Sequence, residues 1–299
     1  MKHIFYHRSD NDGKTSGAII KYANPDSVLH PYEYNDPFPY DLIKDEDEII
    51  FTDAVAPYPE LLKIIDKYHT TIIDHHISLI NFLKDHQLDP DGYRRNDYVA
   101  ACELCWEYYF KTKLLPQSIK LISTYDCWDN RNKENWDNVV LPFQYGLRRF
   151  GMDPLSNWPF WQNLLDKIVN NPSADLDFVE ENISAGKSIL IYQTNVAAEI
   201  MHTNFFDAQF EGLRALCCNT NIKNNQFFAS KWDESKYELM VGFDIRSDQA
   251  IRVSLYTTRN DVDVSRVAGR FGGGGHKQAS GFLAKTYRIF NGQLFFVHF

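Results

Sequence analysis

The chain has 299 residues, enough for two ordinary domains, with 44% hydrophobic and 24% charged residues. Its net charge of −9, from 40 acids against 31 bases, disfavours extended non-specific contact with a nucleic-acid backbone. No apolar run reaches the roughly 18 residues that a membrane span needs, so no membrane partner is expected.

The N-terminus meets polar residues at once and offers no signal-peptide core, so a cytoplasmic location is expected. Lys2 to Tyr6 reads as a first strand ending at His7. The loop His7-Arg8-Ser9-Asp10-Asn11-Asp12-Gly13 follows, then a helix over residues 14–22. Asp10 and Asp12 flank one residue and point the same way in an extended loop, and Gly13 allows a tight strand-to-helix turn. Taken alone, this loop reads first as an Asx-rich helix cap. Residues 24–47 read as an irregular connection with a short strand near Val28, and Asp45 to Glu48 as a solvated face. Glu48 to Thr52 forms the next strand and ends on Asp53. Pro57 opens a helix over Leu61, Leu62, Ile64 and Ile65.

The run Thr70-Thr71-Ile72-Ile73 then leads into Asp74-His75-His76. It is short, apolar and β-branched, so it reads as a buried strand. Alternating strands and helices imply a parallel sheet covered on both faces. Its C-terminal strand ends share one edge, where open α/β sheets hold their ligands. His7, Asp10, Asp12, Asp53, Asp74, His75 and His76 all fall at that edge. Imidazoles and carboxylates converging there suit divalent cations.

Residues 97–111 read as a helix, and a further helix from Pro116 leads to Asp126, a candidate fourth acid. Asp129 reads as a turn acid. The five cysteines, Cys102, Cys105, Cys127, Cys217 and Cys218, read as free thiols. Residues 130–165 are rich in Asn, Trp and Phe, and a long helix is expected over 178–196, near the domain boundary. The second half consists of short β-rich runs at 205–210, 213–217, 227–231, 238–243 and 251–256, with a helix at 263–271. The Gly272-Gly273-Gly274-Gly275-His276 loop follows. Four consecutive glycines let a backbone approach a ligand and turn amide N–H groups toward an anion.

Together these segments resemble the DHH phosphoesterase superfamily. His7-x-x-Asp10-x-Asp12-Gly13, Asp53, Asp74-His75-His76 and Asp126 match its four motifs, and Gly272 to His276 with Ala279-Ser280-Gly281-Phe282 matches the DHHA1 domain. The resemblance is nearest to the nanoRNA phosphodiesterases of the NrnB-type oligoribonuclease branch. It implies an α/β fold: a parallel-sheet DHH domain over 1–150, a helical linker over 151–200 and a smaller α+β DHHA1 domain over 201–299, with the active site in the cleft between the domains.

The resemblance also implies two Mn²⁺ ions, with Mg²⁺ as the alternative. His7, Asp10 and Asp53 would hold one, and Asp12, Asp53, His75 and Asp126 the other. An activated hydroxide would attack phosphorus. Asp74 would orient His75, and His76 would stabilise charge on the scissile phosphate. Gly273, Gly274, Gly275 and His276 would hold the far end of the substrate. The DHHA1 strand often carries an arginine where this chain has Tyr256, and Arg252 is the nearest substitute. The implied activity is hydrolysis of short RNA or DNA oligonucleotides, or of linear dinucleotides, to 5′-mononucleotides. A pAp phosphatase, a cyclic-dinucleotide phosphodiesterase and a non-catalytic nucleotide sensor stay open as alternatives, as does a homodimer.

Overall fold

The computed structural model describes residues 1–34, 36–222 and 224–297. The chain divides into two compact units, Met1–Leu190 and Ile191–Phe299. Among the described residues no helix is long and apolar enough to cross a membrane.

The first unit is built on a four-stranded, wholly parallel sheet in the order β2-β1-β3-β4. The strands are β1 (Lys2–His7), β2 (Val28–Tyr32), β3 (Glu48–Thr52) and β4 (His69–Ile73). Alternation along each strand divides the apolar residues between two cores. Ile4, Tyr6, Ile50 and Ile73 face one core with α1 (Asn11–Ala23). Phe5, Ile49, Phe51 and Ile72 face the other, where α2 (Tyr58–Lys67) contributes Leu61 and Ile64 and α3 (Ile77–Asp85) contributes Leu79 and Leu83. Both faces are covered, which is why β1 reads as a continuous apolar run.

The helix expected over 97–111 is shorter, α4 (Ala101–Tyr109), because Tyr98 takes a left-handed φ of 62° before it. It is followed by α5 (Gln117–Asp126), a single turn α6 (Lys133–Asn135) and α7 (Leu141–Leu147). Residues 151–190, expected as a linker, pack into the first core instead. There α8 (Trp158–Asn170) buries Trp161, Leu164, Leu165 and Ile168, and α9 (Pro172–Asn204) buries Val179. The contact between α7 and α9 is backbone to backbone. A Cβ on Gly186 would lie 1.7 Å from the Pro142 carbonyl oxygen, and one on Gly146 2.0 Å from that of Asn182. A helix locked this way is part of the domain it touches.

The second unit carries an eight-stranded mixed sheet in the order β11-β12-β5-β6-β7-β8-β10-β9. Its strands are β5 (Phe205–Phe210), β6 (Leu213–Asn219), β7 (Leu239–Ile245), β8 (Ile251–Tyr256), β9 (Gly274–His276), β10 (Ala279–Ala284), β11 (Thr286–Phe290) and β12 (Gln293–Val297). Asn291-Gly292, with φ values of 49° and 71°, makes the tight turn between β11 and β12. Helix α10 (Val264–Gly269) packs against β10 and β9, and the end of α9 packs Ala197 and Met201 against Leu216 and Cys218. The run at 227–231 is not a strand. A 3₁₀ turn spans Asn225–Phe228, capped by the Asn224 side chain, and buries Phe227 and Phe228. The five cysteines are all free, and Cys217 and Cys218 lie in cores on opposite faces of the sheet.

Candidate metal centre

Three of the parallel strands of the first unit deliver a polar ligand-type side chain at the C-terminal end. His7 closes β1, Asp53 follows β3, and Asp74 follows β4. Asp10 caps α1 by accepting from the Gly13 N–H at 2.9 Å. The glycine is sterically required, since a Cβ there would stand 2.3 Å from the His7 carbonyl oxygen. Asp12, in the first turn of α1, points across to α4. Its two oxygens accept the Ala101 N–H at 2.9 Å and the Cys102 N–H at 2.7 Å. It therefore caps a helix 90 residues away, at the end where the helix dipole favours an anion.

Asp53 sits at the middle. Its φ of 59° is left-handed, a conformation that aspartate tolerates better than most residues but that still carries strain. The two carboxylate oxygens turn toward different partners. Oδ2 lies 3.2 Å from His7 Nδ1, which is also 2.7 Å from Asp10 Oδ2. Oδ1 lies 3.4 Å from His75 Nε2, which is also 3.3 Å from Asp126 Oδ2 and 3.9 Å from Asp12 Oδ2. His75 Nε2 is buried without a hydrogen-bond partner. An unsatisfied nitrogen facing three carboxylates is what a cation site leaves in the protein alone. Ligand atoms about 2.1 Å from one octahedral ion lie about 3 Å apart, close to these separations.

The electrostatics agree. Burial, reinforced by Asp10, Asp74 and Asp126, pushes the Asp53 carboxyl up to about 8 despite its bond to His7. Burial and then Asp12 push Asp126 up to about 7. Burial and Asp53 hold Asp12 well above the usual carboxylate range. Burial opposes the charge on His7, but its bonds to Asp10 and Asp53 outweigh it and hold the imidazolium up to about 11. Without a cation this cluster keeps protons on acids at neutral pH; divalent charge removes that repulsion. The donors are carboxylate oxygens and imidazole nitrogens, a set that suits a divalent cation.

His76 lies beside these ligands, its Nδ1 3.9 Å from Asp53 Oδ1, but is held by another acid. The Asp74 Oδ1 atom accepts its backbone N–H at 2.7 Å and its Nδ1–H at 2.8 Å, so the ring Asp74 holds is that of His76 and not, as expected, that of His75, whose Nδ1 faces Cys127 Sγ. The side-chain bond pushes His76 up to about 9, so the ring is cationic at neutral pH. Its Nε2 lies 3.1 Å from the Tyr34 hydroxyl, which itself donates to the Asp53 carbonyl at 3.0 Å. A cavity of about 250 Å³ opens beside it, lined by Tyr34, Ala56, Tyr58, Ser78 and Leu79 among others.

Four participants were not anticipated. Tyr34 positions His76, Glu33 Oε2 lies 3.2 Å from His7 Nε2, and the Asn96 amide donates to the His75 carbonyl at 2.7 Å. Cys127 Sγ lies 4.0 Å from His75 Nδ1, and burial pushes its thiol up to about 12. Glu33 and Tyr34 directly follow β2, so the strand-end rule that selects Asp53 and Asp74 could have found them.

No protein-family model matches the chain. Its sequence is 48% identical to oligoribonuclease NrnB of Bacillus subtilis, over 97% of this chain and 77% of that protein. The chain belongs to the NrnB oligoribonuclease family. It is also 25% identical to an uncharacterised protein of Acanthamoeba polyphaga mimivirus over 78% of this chain, spanning about half (52%) of that protein's length. Among solved structures, the DHH domain of a member of the s1p family of ribosomal proteins superposes with a TM-score of 0.51. The two are 14% identical, and the match covers 94% of this chain and 82% of that one. The fold is thus that of the DHH proteins.

The remaining predicted site residues of this NrnB relative lie in its second unit. Arg252 is held by Asp244 on the neighbouring strand through bonds of 3.0 and 2.8 Å. It still lines a cavity of about 700 Å³ with Ser254, Phe271, Gly273, Gly274 and Gly281. Part of the glycine run has a steric cause. A Cβ at Gly273 would meet the Gly281 carbonyl oxygen at 2.1 Å, and one at Gly275 the Ala279 oxygen at 2.7 Å. The Gly273 N–H already donates to the Ala268 carbonyl at 3.0 Å. Gly274, between them, faces open space, and His276 is exposed at the end of β9.

Proposed function

We propose that the protein is a divalent-metal-dependent phosphodiesterase that hydrolyses short oligoribonucleotides or linear dinucleotides to 5′-mononucleotides. The observation that carries this reading is the Asp53 carboxylate, with one oxygen toward His7 and Asp10 and the other toward His75 and Asp126. A carboxylate divided this way suits a bridge between two ions, with His7, Asp10 and Asp53 holding one and Asp12, Asp53, His75 and Asp126 the other. Bound there, Mn²⁺ or Mg²⁺ would supply Lewis-acid polarisation of the phosphate and a lowered pKa for water.

The chain's own residues do the rest. Asp74 keeps His76 protonated and oriented, so that the imidazolium can meet negative charge growing on the scissile phosphate. A water oxygen bonds to phosphorus, the bond from phosphorus to the 3′ oxygen breaks, and that oxygen leaves as a hydroxyl. Within residues 201–299, the exposed His276 and the open backbone at Gly274 are available to a nucleotide. The name of the Bacillus subtilis relative supports the substrate class.

The test is product release from pApA, pAp and cyclic di-AMP with Mn²⁺, Mg²⁺, Ca²⁺ or EDTA. Hydrolysis of pApA with Mn²⁺ or Mg²⁺, abolished by EDTA, is expected. Full activity in metal-free buffer, or exclusive turnover of pAp, would refute the reading.

A further inference from the structure

Helix α5 ends in a Schellman motif just beyond Asp126. The Asp129 N–H donates to the Thr124 carbonyl and the Trp128 N–H to that of Tyr125, both at 3.0 Å. The left-handed position of this motif belongs to Trp128, whose φ is 52°. Glycine is the usual occupant, because a side chain there clashes with its own backbone. Trp128 is nevertheless 62% exposed, touching Trp136 with ring centroids 5.0 Å apart. A bulky residue kept in a strained position, mostly in solvent, contributes little to the fold.

A second loop repeats the pattern. Tyr98 has a φ of 62° and is 53% exposed. It lies three residues before Ala101, whose N–H holds Asp12. Arg131 links the two loops: its guanidinium lies 3.9 Å over the Tyr98 ring, while Nε and a terminal nitrogen bond Asp129 at 2.7 Å each. Two strained, exposed aromatics therefore flank the segments that carry Asp126 and anchor Asp12.

From this geometry we infer that Trp128, with Tyr98 and Arg131, is a stacking shelf for a nucleobase of the substrate whose phosphate lies at the metal centre. The inference rests on the proposed function. Aromatic faces and a guanidinium plane recognise a base by its π-face, independently of its identity. Stacking also suits a chain of net charge −9, which gains little from a long phosphate backbone. The shelf accordingly selects nucleotides over other phosphate esters and tolerates all four bases.

The test compares pApA with the same dinucleotide lacking both bases, using metal-loaded wild type, Trp128→Gly and Trp128→Phe. Wild type should favour pApA by about 5- to 150-fold in kcat/KM, the range expected for one stacked base. Trp128→Gly should bring that ratio close to one, with its Tm equal to or above wild type because the backbone strain is relieved. Trp128→Phe should keep most of the ratio. An unchanged ratio in Trp128→Gly, or equal loss on both substrates with a lowered Tm, overturns the shelf while leaving the phosphodiesterase reading intact. A wild type that cleaves no dinucleotide overturns both.

Discussion

Replacing Asp53 with asparagine should stabilise the metal-free protein at alkaline pH. The carboxyl is buried, and its pKa rises from the ordinary 3.8 to about 8. Between those values the folded chain holds a proton that the unfolded chain has released. Stability from this group is therefore present at low pH and is lost as pH rises through that window. At about 1.4 kcal/mol per unit, the loss from pH 4 to pH 8 has a ceiling of about 5 kcal/mol. An asparagine amide cannot ionise, so the variant escapes that loss. In EDTA, the stability difference between Asp53→Asn and wild type should shift in favour of the variant by about 2–5 kcal/mol between pH 4 and pH 8. Urea unfolding at both pH values measures it. Added Mn²⁺ should reverse the order, because the ion binds the ionised folded state and stabilises wild type in proportion to its affinity. Parallel pH curves for the two proteins in EDTA, or an equal gain from Mn²⁺, would refute the claim that Asp53 is a buried bridging ligand.

Gly13→Ala places a Cβ 2.3 Å from the His7 carbonyl oxygen, so the loop bearing Asp10 must move. We expect at least a tenfold fall in kcat, on the order of 1–3 kcal/mol of stability lost to overpacking, and weaker metal retention by elemental analysis. Tyr34→Phe keeps the ring but removes the hydroxyl from the Asp53 carbonyl and His76, which should lower kcat more than it changes KM and reduce stability by about 1 kcal/mol. His276→Ala should keep both metals and raise KM for pApA, on the order of 2–4 kcal/mol in kcat/KM. Bis-p-nitrophenyl phosphate should report little change for that variant. Loss of metal from His276→Ala would exclude a role confined to substrate. Dinucleotides to pentanucleotides should be cut faster than a long single strand, and equal rates measured by gel would contradict a preference for short substrates.

The sequence alone determined the class of the first unit and the edge at which its polar residues meet. The reason is local: strands alternate with period two, helices with 3.6, and a parallel sheet with right-handed crossovers puts every strand's C-terminal end on one side. Asp53 and Asp74 could therefore be assigned to that edge without a structure. Contacts between distant segments have no such signature. Asp12 caps α4 across 90 residues, and only the folded chain brings that helix end to it. The same holds for Tyr34 on His76 and for the carbonyl contacts that join α9 to α7 and turn an expected linker into core. The glycine run looked like a ligand loop, yet two of its members are dictated by the close passage of β10. Conversely, nothing in the letters at Trp128 indicates a left-handed backbone; the hydrogen bonds closing α5 decide it. Periodicity is written residue by residue, whereas packing distance and backbone strain exist only once the elements have met.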